Sequence, residues 1–188
     1  EFLRGFGYQG AARRGKGDPA ANEATFGAEL KEKMSLPGPW TFNLTGFGET
    51  LPDPNNRITL SDKKDKNGLP QIEFDAQWGE NELKMRETIM KEAVDMLEAA
   101  GLVDVVGHNN MEKSPGVGIH EMGTARMGRD PKTSVLNEWN QVWGAENVFV
   151  TDGAAMVSSS CVNPSLTYMA LTARAANYAA EQFKLGNL

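Results

Sequence analysis

Cysteine and histidine are nearly missing from this 188-residue chain, which holds one of the former, Cys161, and two of the latter, His108 and His120. A lone thiol excludes an internal disulfide framework and a thiolate metal cage. Two imidazoles are too few for a multi-histidine metal site. Basic charge is also short, with 19 Lys and Arg against 25 Asp and Glu and a net charge of −6. Phosphate binding draws on a stripe of cations, so the balance argues against a nucleic-acid partner. No apolar run reaches the ~20 residues that a membrane-spanning helix requires. Glu1-Phe2 opens the sequence with no initiator methionine and no signal-like segment. We expect targeting information, and a further domain, to lie upstream.

What remains is ordinary globular composition, with 40% hydrophobic and 23% charged residues. Glu1 to Gly10 alternates aromatic residues and glycine and reads as a strand. Ala11 to Asn22 is small, basic and polar, a loop by expectation. Within it Gly10 to Lys16 nearly matches the G-x-x-x-x-G-K phosphate loop, but Gly17 stands where Ser or Thr should hold magnesium and no apolar helix follows. Ala24 to Met34 suits a short helix stopped by Ser35-Leu36-Pro37. Trp40 to Leu51 alternates through Phe42, Leu44 and Phe47, which predicts a strand with an aromatic face turned inward. Asn43-Leu44-Thr45 is a glycosylation sequon, meaningful only in a secretory host. Arg57 to Leu60 and Gln71 to Phe74 predict a hairpin around the polar loop Asp62 to Gly68. Glu82 to Ala100 has the three- and four-residue spacing of an amphipathic helix, with Asn81 as its cap and Gly101 as its stop. His108 follows in a polar loop and reads as a bystander.

The tail carries the chemistry. His120 lies beside Val117 and Ile119 in an apparent strand flanked by glycine, and its ordinary pKa near 6.5 suits a general base. A satisfied structural histidine is the plain alternative. Val148 to Val150 reads as a buried strand ending on Asp152 and Gly153, where a ligand could approach or the chain could merely turn. Asn163 then caps a helix with Pro164 in its first turn. Leu166, Met169, Ala170, Ala173, Ala176, Ala180 and Phe183 form one apolar stripe along it, expected to pack in the core. The exposed N–H groups at its start favour negative charge, although a simple capped surface helix would look the same.

His120-Glu121-Met122-Gly123-Thr124-Ala125-Arg126-Met127-Gly128, then Val148 to Gly153, then Asn163-Pro164-Ser165-Leu166-Thr167, together resemble the C-terminal signature of the glucose–methanol–choline (GMC) oxidoreductases. The likeness extends from about Trp40 to the end and looks nearest to the sugar- and polyol-oxidising subgroup that includes gluconate dehydrogenase and pyranose oxidase. It implies an FAD enzyme that oxidises an alcohol, sugar or polyol to a carbonyl and passes electrons on, to a protein acceptor among other choices. His120 would take the hydroxyl proton while hydride leaves for the flavin, and Asn163 would hydrogen-bond the substrate oxygen. Asp152, Gly153, Asn163, Pro164, Ser165 and Thr167 would line the FAD.

The resemblance also implies an α+β fold, a mostly antiparallel sheet with helices on one face. Residues 1–128 would form the substrate-binding region. Residues 129–188 would supply a terminal strand and long helix that return to the FAD-binding domain. The family's N-terminal G-x-G-x-x-G is absent, and Gly5-Phe6-Gly7 cannot replace it. We therefore expect the upstream FAD-binding half of the same chain as a partner, and weak FAD binding without it. Two other readings stand beside this one. A hydrolase built on Cys161 or a serine with His120 lacks a G-x-S-x-G elbow. A non-catalytic module that binds a sugar or a partner would not need both His120 and Asn163.

Overall fold

In the computed structural model, residues 1–17, 26–109 and 115–188 are described. The parts of the expected loop, helix and polar stretch at 18–25 and 110–114 lie outside them. Strand β1 (Phe6–Lys16), helix α1 (Gly27–Ser35), strands β2 (Pro37–Gly48), β3 (Arg57–Lys64) and β4 (Pro70–Asp75), helix α2 (Glu80–Ala99), strands β5 (Gln141–Val142) and β6 (Ala145–Phe149) and helix α3 (Ser165–Lys184) follow in order. The fold is α+β, its strands grouped in three two-stranded pieces, β1–β2, β3–β4 and β5–β6. Contacts divide the chain into two compact units, residues 7–47 and residues 1–6 with 48–188.

In the smaller unit β1 runs through Lys16, so residues 11–16 are strand where the sequence predicts loop. Pairing with β2 overrides local propensity. Glycine lets the two backbones close up, since a Cβ at Gly10 would stand 2.7 Å from the Asn43 carbonyl oxygen. The predicted inward face of β2 divides, with Leu44 and Phe47 half-buried but Trp40 and Phe42 exposed. Trp40 is 67% exposed, with the Arg14 guanidinium 5.9 Å from its ring centroid.

In the larger unit β3 and β4 form the expected antiparallel hairpin, with Ile58 opposite Phe74 and Leu60 opposite Ile72. Asp65 closes its turn, Oδ1 accepting from the N–H groups of Asn67 and Leu69 at 2.8 and 2.9 Å. Helix α2 begins two residues before its predicted start. Its cap is Gly79, because Asn81 is engaged elsewhere, accepting from Leu3 N at 2.6 Å. Glu82 takes over the capping work. It is buried, and its carboxylate accepts from Gly79 N at 3.0 Å and Leu51 N at 2.9 Å. Met85 is the most deeply buried side chain of α2 and rests against Gly48, while Met96, predicted to face inward, is exposed.

Candidate active site

The three motif segments of the tail meet in one network. Residues 123–127 run beside a short 3-10 turn at Gly153–Ala155. Gly123 N donates to Gly153 O at 3.3 Å, Ala125 N to Ala154 O at 2.9 Å and Met127 N to Ala155 O at 2.9 Å. The first turn of α3 reaches the same place, for the Tyr168 hydroxyl donates to Met122 Sδ at 3.7 Å. Gly153 sits where the segments cross. A Cβ there would stand 2.8 Å from the Glu121 carbonyl oxygen and 3.0 Å from the Tyr168 hydroxyl. The close approach that Gly153 permits is thus made by the chain itself.

Below this crossing lies a polar hub. Asn140 is fully buried and adopts φ 65°. Its Nδ2 donates to Val150 O at 2.9 Å, its carbonyl accepts from Val150 N at 3.0 Å, and its Oδ1 accepts from Arg174 of α3 at 3.2 Å. Every polar group of the side chain has a partner, so burying it costs little. The hub ends strand β6 at Phe149, short of the predicted Val150. Strand β6 pairs antiparallel with β5, Gln141 opposite Phe149, and Val148 is exposed where a buried strand is predicted. Trp139 stacks on Tyr178 at 4.8 Å and 2°, which holds the middle of α3 against the same loop.

Helix α3 therefore shows the hub a different face from the predicted one. Pro164, Tyr168, Leu171, Ala175, Tyr178 and Gln182 turn inward, while every residue of the predicted core stripe is exposed, Leu166 by 79% and Phe183 by 71%. Both stripes have helical spacing. The aromatic partners Trp139 and Phe149 decide between them.

His120 is half-buried and lies in an irregular loop where a strand is predicted. Gly116 at φ 95°, Ile119 at φ 69° and Gly123 at φ 86° interrupt any extended run. A β-branched residue in the left-handed region costs about 1–3 kcal/mol and persists only where its surroundings impose it. Here the Glu121 carboxylate accepts from Gly118 N at 2.9 Å and closes a tight loop around Ile119 and His120. Among the described residues no hydrogen bond engages the imidazole.

Asp152 caps the 3-10 turn, Oδ1 accepting from Ala154 N at 3.0 Å, and is otherwise exposed. Asn163 is exposed and does not cap α3. The cap falls on Pro164, with no side-chain hydrogen bond and no acidic residue in the first turn, which holds Ser165, Leu166 and Thr167. The structure thus joins the loop after His120 to Gly153 and to the turn that follows Asn163 and Pro164. Tyr168, Asn140 and the strained Ile119 were missed in the sequence. Tyr168 had a visible signal, as a phenol one turn beyond Pro164. Its hydroxyl is pushed above the ordinary tyrosine range by burial first, then by the Asp152 and Glu121 carboxylates. Two open depressions, of about 360 and 490 Å³, lie at the start and along the middle of α2, and neither is lined by His120 or Asn163. Among the described residues no helix is long and apolar enough to cross a membrane.

The family model described as GMC oxidoreductase matches residues 52–172, which takes in His120, Asp152 and Asn163. The chain is 32% identical to the 2-methyl-1,2-propanediol dehydrogenase of Mycolicibacterium austroafricanum, over 97% of its own length and 34% of that protein's. It is 32% identical to the fructose dehydrogenase large subunit of Gluconobacter japonicus, over 96% of itself and 33% of that chain. Similarity to the gluconate 2-dehydrogenase flavoprotein of Pantoea cypripedii is 30% over 62% of the chain and 20% of that protein. The chain spans about a third of the length of the first two of these relatives. With the family model covering most of the sequence, this chain belongs to the GMC oxidoreductase family.

Proposed function

We propose that the chain forms the substrate-facing part of an FAD-dependent enzyme that oxidises an alcohol, sugar or polyol to a carbonyl. The observation that carries the proposal is the meeting of the His120 loop, the Gly153 turn and the start of α3 at one crossing. His120 takes the substrate's hydroxyl proton, its imidazole meeting no hydrogen-bond partner among the described residues. Asn163 donates a hydrogen bond to the same oxygen and steadies the charge that grows on it.

The start of α3 suits a flavin. Its first turn contains no acidic residue to occupy the positive dipole end, whereas α2 has Glu82 in that place. Pro164 to Thr167 would hold FAD there, with Asp152 and Gly153 beside it. When bound, FAD supplies the hydride acceptor. In this reading residues 129–188 face an upstream FAD-binding half, which covers the bare stripe of α3 and closes the substrate cavity. The relative named a large subunit supports a partner subunit. The relatives' names favour a diol or sugar as substrate.

The test is His120→Ala in the full-length FAD-loaded enzyme, with flavin reduction followed anaerobically against a panel of diols and sugars. The expected result is flavin reduction slowed at least ~100-fold with FAD content unchanged. Reduction at the wild-type rate would remove His120 from the chemistry.

A further inference from the structure

We propose that Tyr168 is a positioning residue, whose hydroxyl sets where His120 stands relative to Asn163; this rests on the function proposed above. His120 is tied on both sides. Upstream, the bond from Gly118 N to the Glu121 carboxylate closes the loop that carries it, with Ile119 forced into the left-handed region. Downstream, the Glu121 carbonyl lies against Gly153 and Gly123 N donates to Gly153 O, so two consecutive turns share one anchor.

Tyr168 bridges that anchor to the helix. Its N–H donates to Pro164 O at 3.1 Å, within the turn that follows Asn163. Its hydroxyl donates to Met122 Sδ, two residues after His120. One residue, through its backbone and its side chain, thus links the segment bearing the imidazole to the segment bearing the carboxamide.

A thioether is a weak acceptor. A half-buried hydroxyl with that partner adds little to stability, and a phenylalanine would fill the same space. What the hydroxyl contributes is register between two segments whose reacting groups must meet within a fraction of an ångström. Burial and the nearby Asp152 and Glu121 carboxylates keep the phenolic proton in place, so Tyr168 stays a donor across the working range of pH.

Tyr168→Phe in the FAD-loaded full-length enzyme is expected to lower kcat about tenfold, with KM, FAD content and Tm unchanged. Met122→Leu, close in volume but without the sulfur, is expected to reproduce that loss, and it carries the test if the first variant misfolds. Against a His120→Ala background, Tyr168→Phe should cost nothing further, because the group it positions is gone. A purely structural tyrosine would instead lower Tm and cost the same factor in both backgrounds. Wild-type kcat in Tyr168→Phe and Met122→Leu, with His120→Ala inactive, overturns the inference and leaves the proposed function standing. Wild-type kcat in His120→Ala overturns both.

Discussion

Helices α2 and α3 are each 20 residues long and end in the same way. After α2, Gly101 N reaches Glu98 O and Leu102 N reaches Leu97 O. After α3, Gly186 N reaches Phe183 O and Asn187 N reaches Gln182 O. Both are Schellman closures around a glycine in the left-handed region. Their beginnings differ. Helix α2 carries its own anion, the buried Glu82, bonded to two backbone N–H groups. Helix α3 begins on Pro164 with no acid in its first turn. A helix that fills its positive end internally is finished as a structural element. The start of α3 has no such carboxylate in its own first turn and lies beside the strained histidine loop.

The largest expected effect lies at the filled end. Glu82→Ala strands the Gly79 and Leu51 N–H groups and should destabilise the protein by about 3 kcal/mol, read as a shift in the denaturant midpoint. A loss below ~0.5 kcal/mol would mean that water replaces the carboxylate, and the contrast between the two helix starts would weaken. Next comes giving α3 what α2 already has. Thr167→Asp should stabilise the helix slightly while weakening FAD binding about tenfold in the full-length protein, through repulsion at the dipole end. Equal FAD affinity, measured by titrating the apoprotein, would show that the flavin's charge does not gather there.

The smallest effect tests where the helices agree. Gly101→Ala and Gly186→Ala each add a Cβ in open space at positive φ, so the cost is backbone strain alone, about 1 kcal/mol each. Unequal losses in thermal unfolding would mean that one closure bears more than its own helix.

Much was legible because it is local. The β3–β4 hairpin follows from the polar loop Asp62 to Gly68 between two short strand runs, and the stop of α2 follows from Gly101. The family was legible in His120 to Gly128, Val148 to Gly153 and Asn163 to Thr167, which keep their order and spacing. Other parts were not. The loop predicted at 11–16 became strand because β2 supplied a partner that no window of sequence displays. The cap of α2 fell on Gly79, held by Glu82, while Asn81 bonds to Leu3, 78 residues away. His120 left its predicted strand because Ile119 takes a backbone conformation that its side chain disfavours.

By itself the sequence determined the family motifs and roughly where the two long helices lie, since those follow from side-chain chemistry and short-range spacing. Only tertiary structure decided which of two equally spaced stripes of α3 turned inward. It also decided that Gly153 is a crossing point and that Tyr168 faces Met122. Each depends on distances between segments far apart in the chain, where the energy of packing outweighs any local preference.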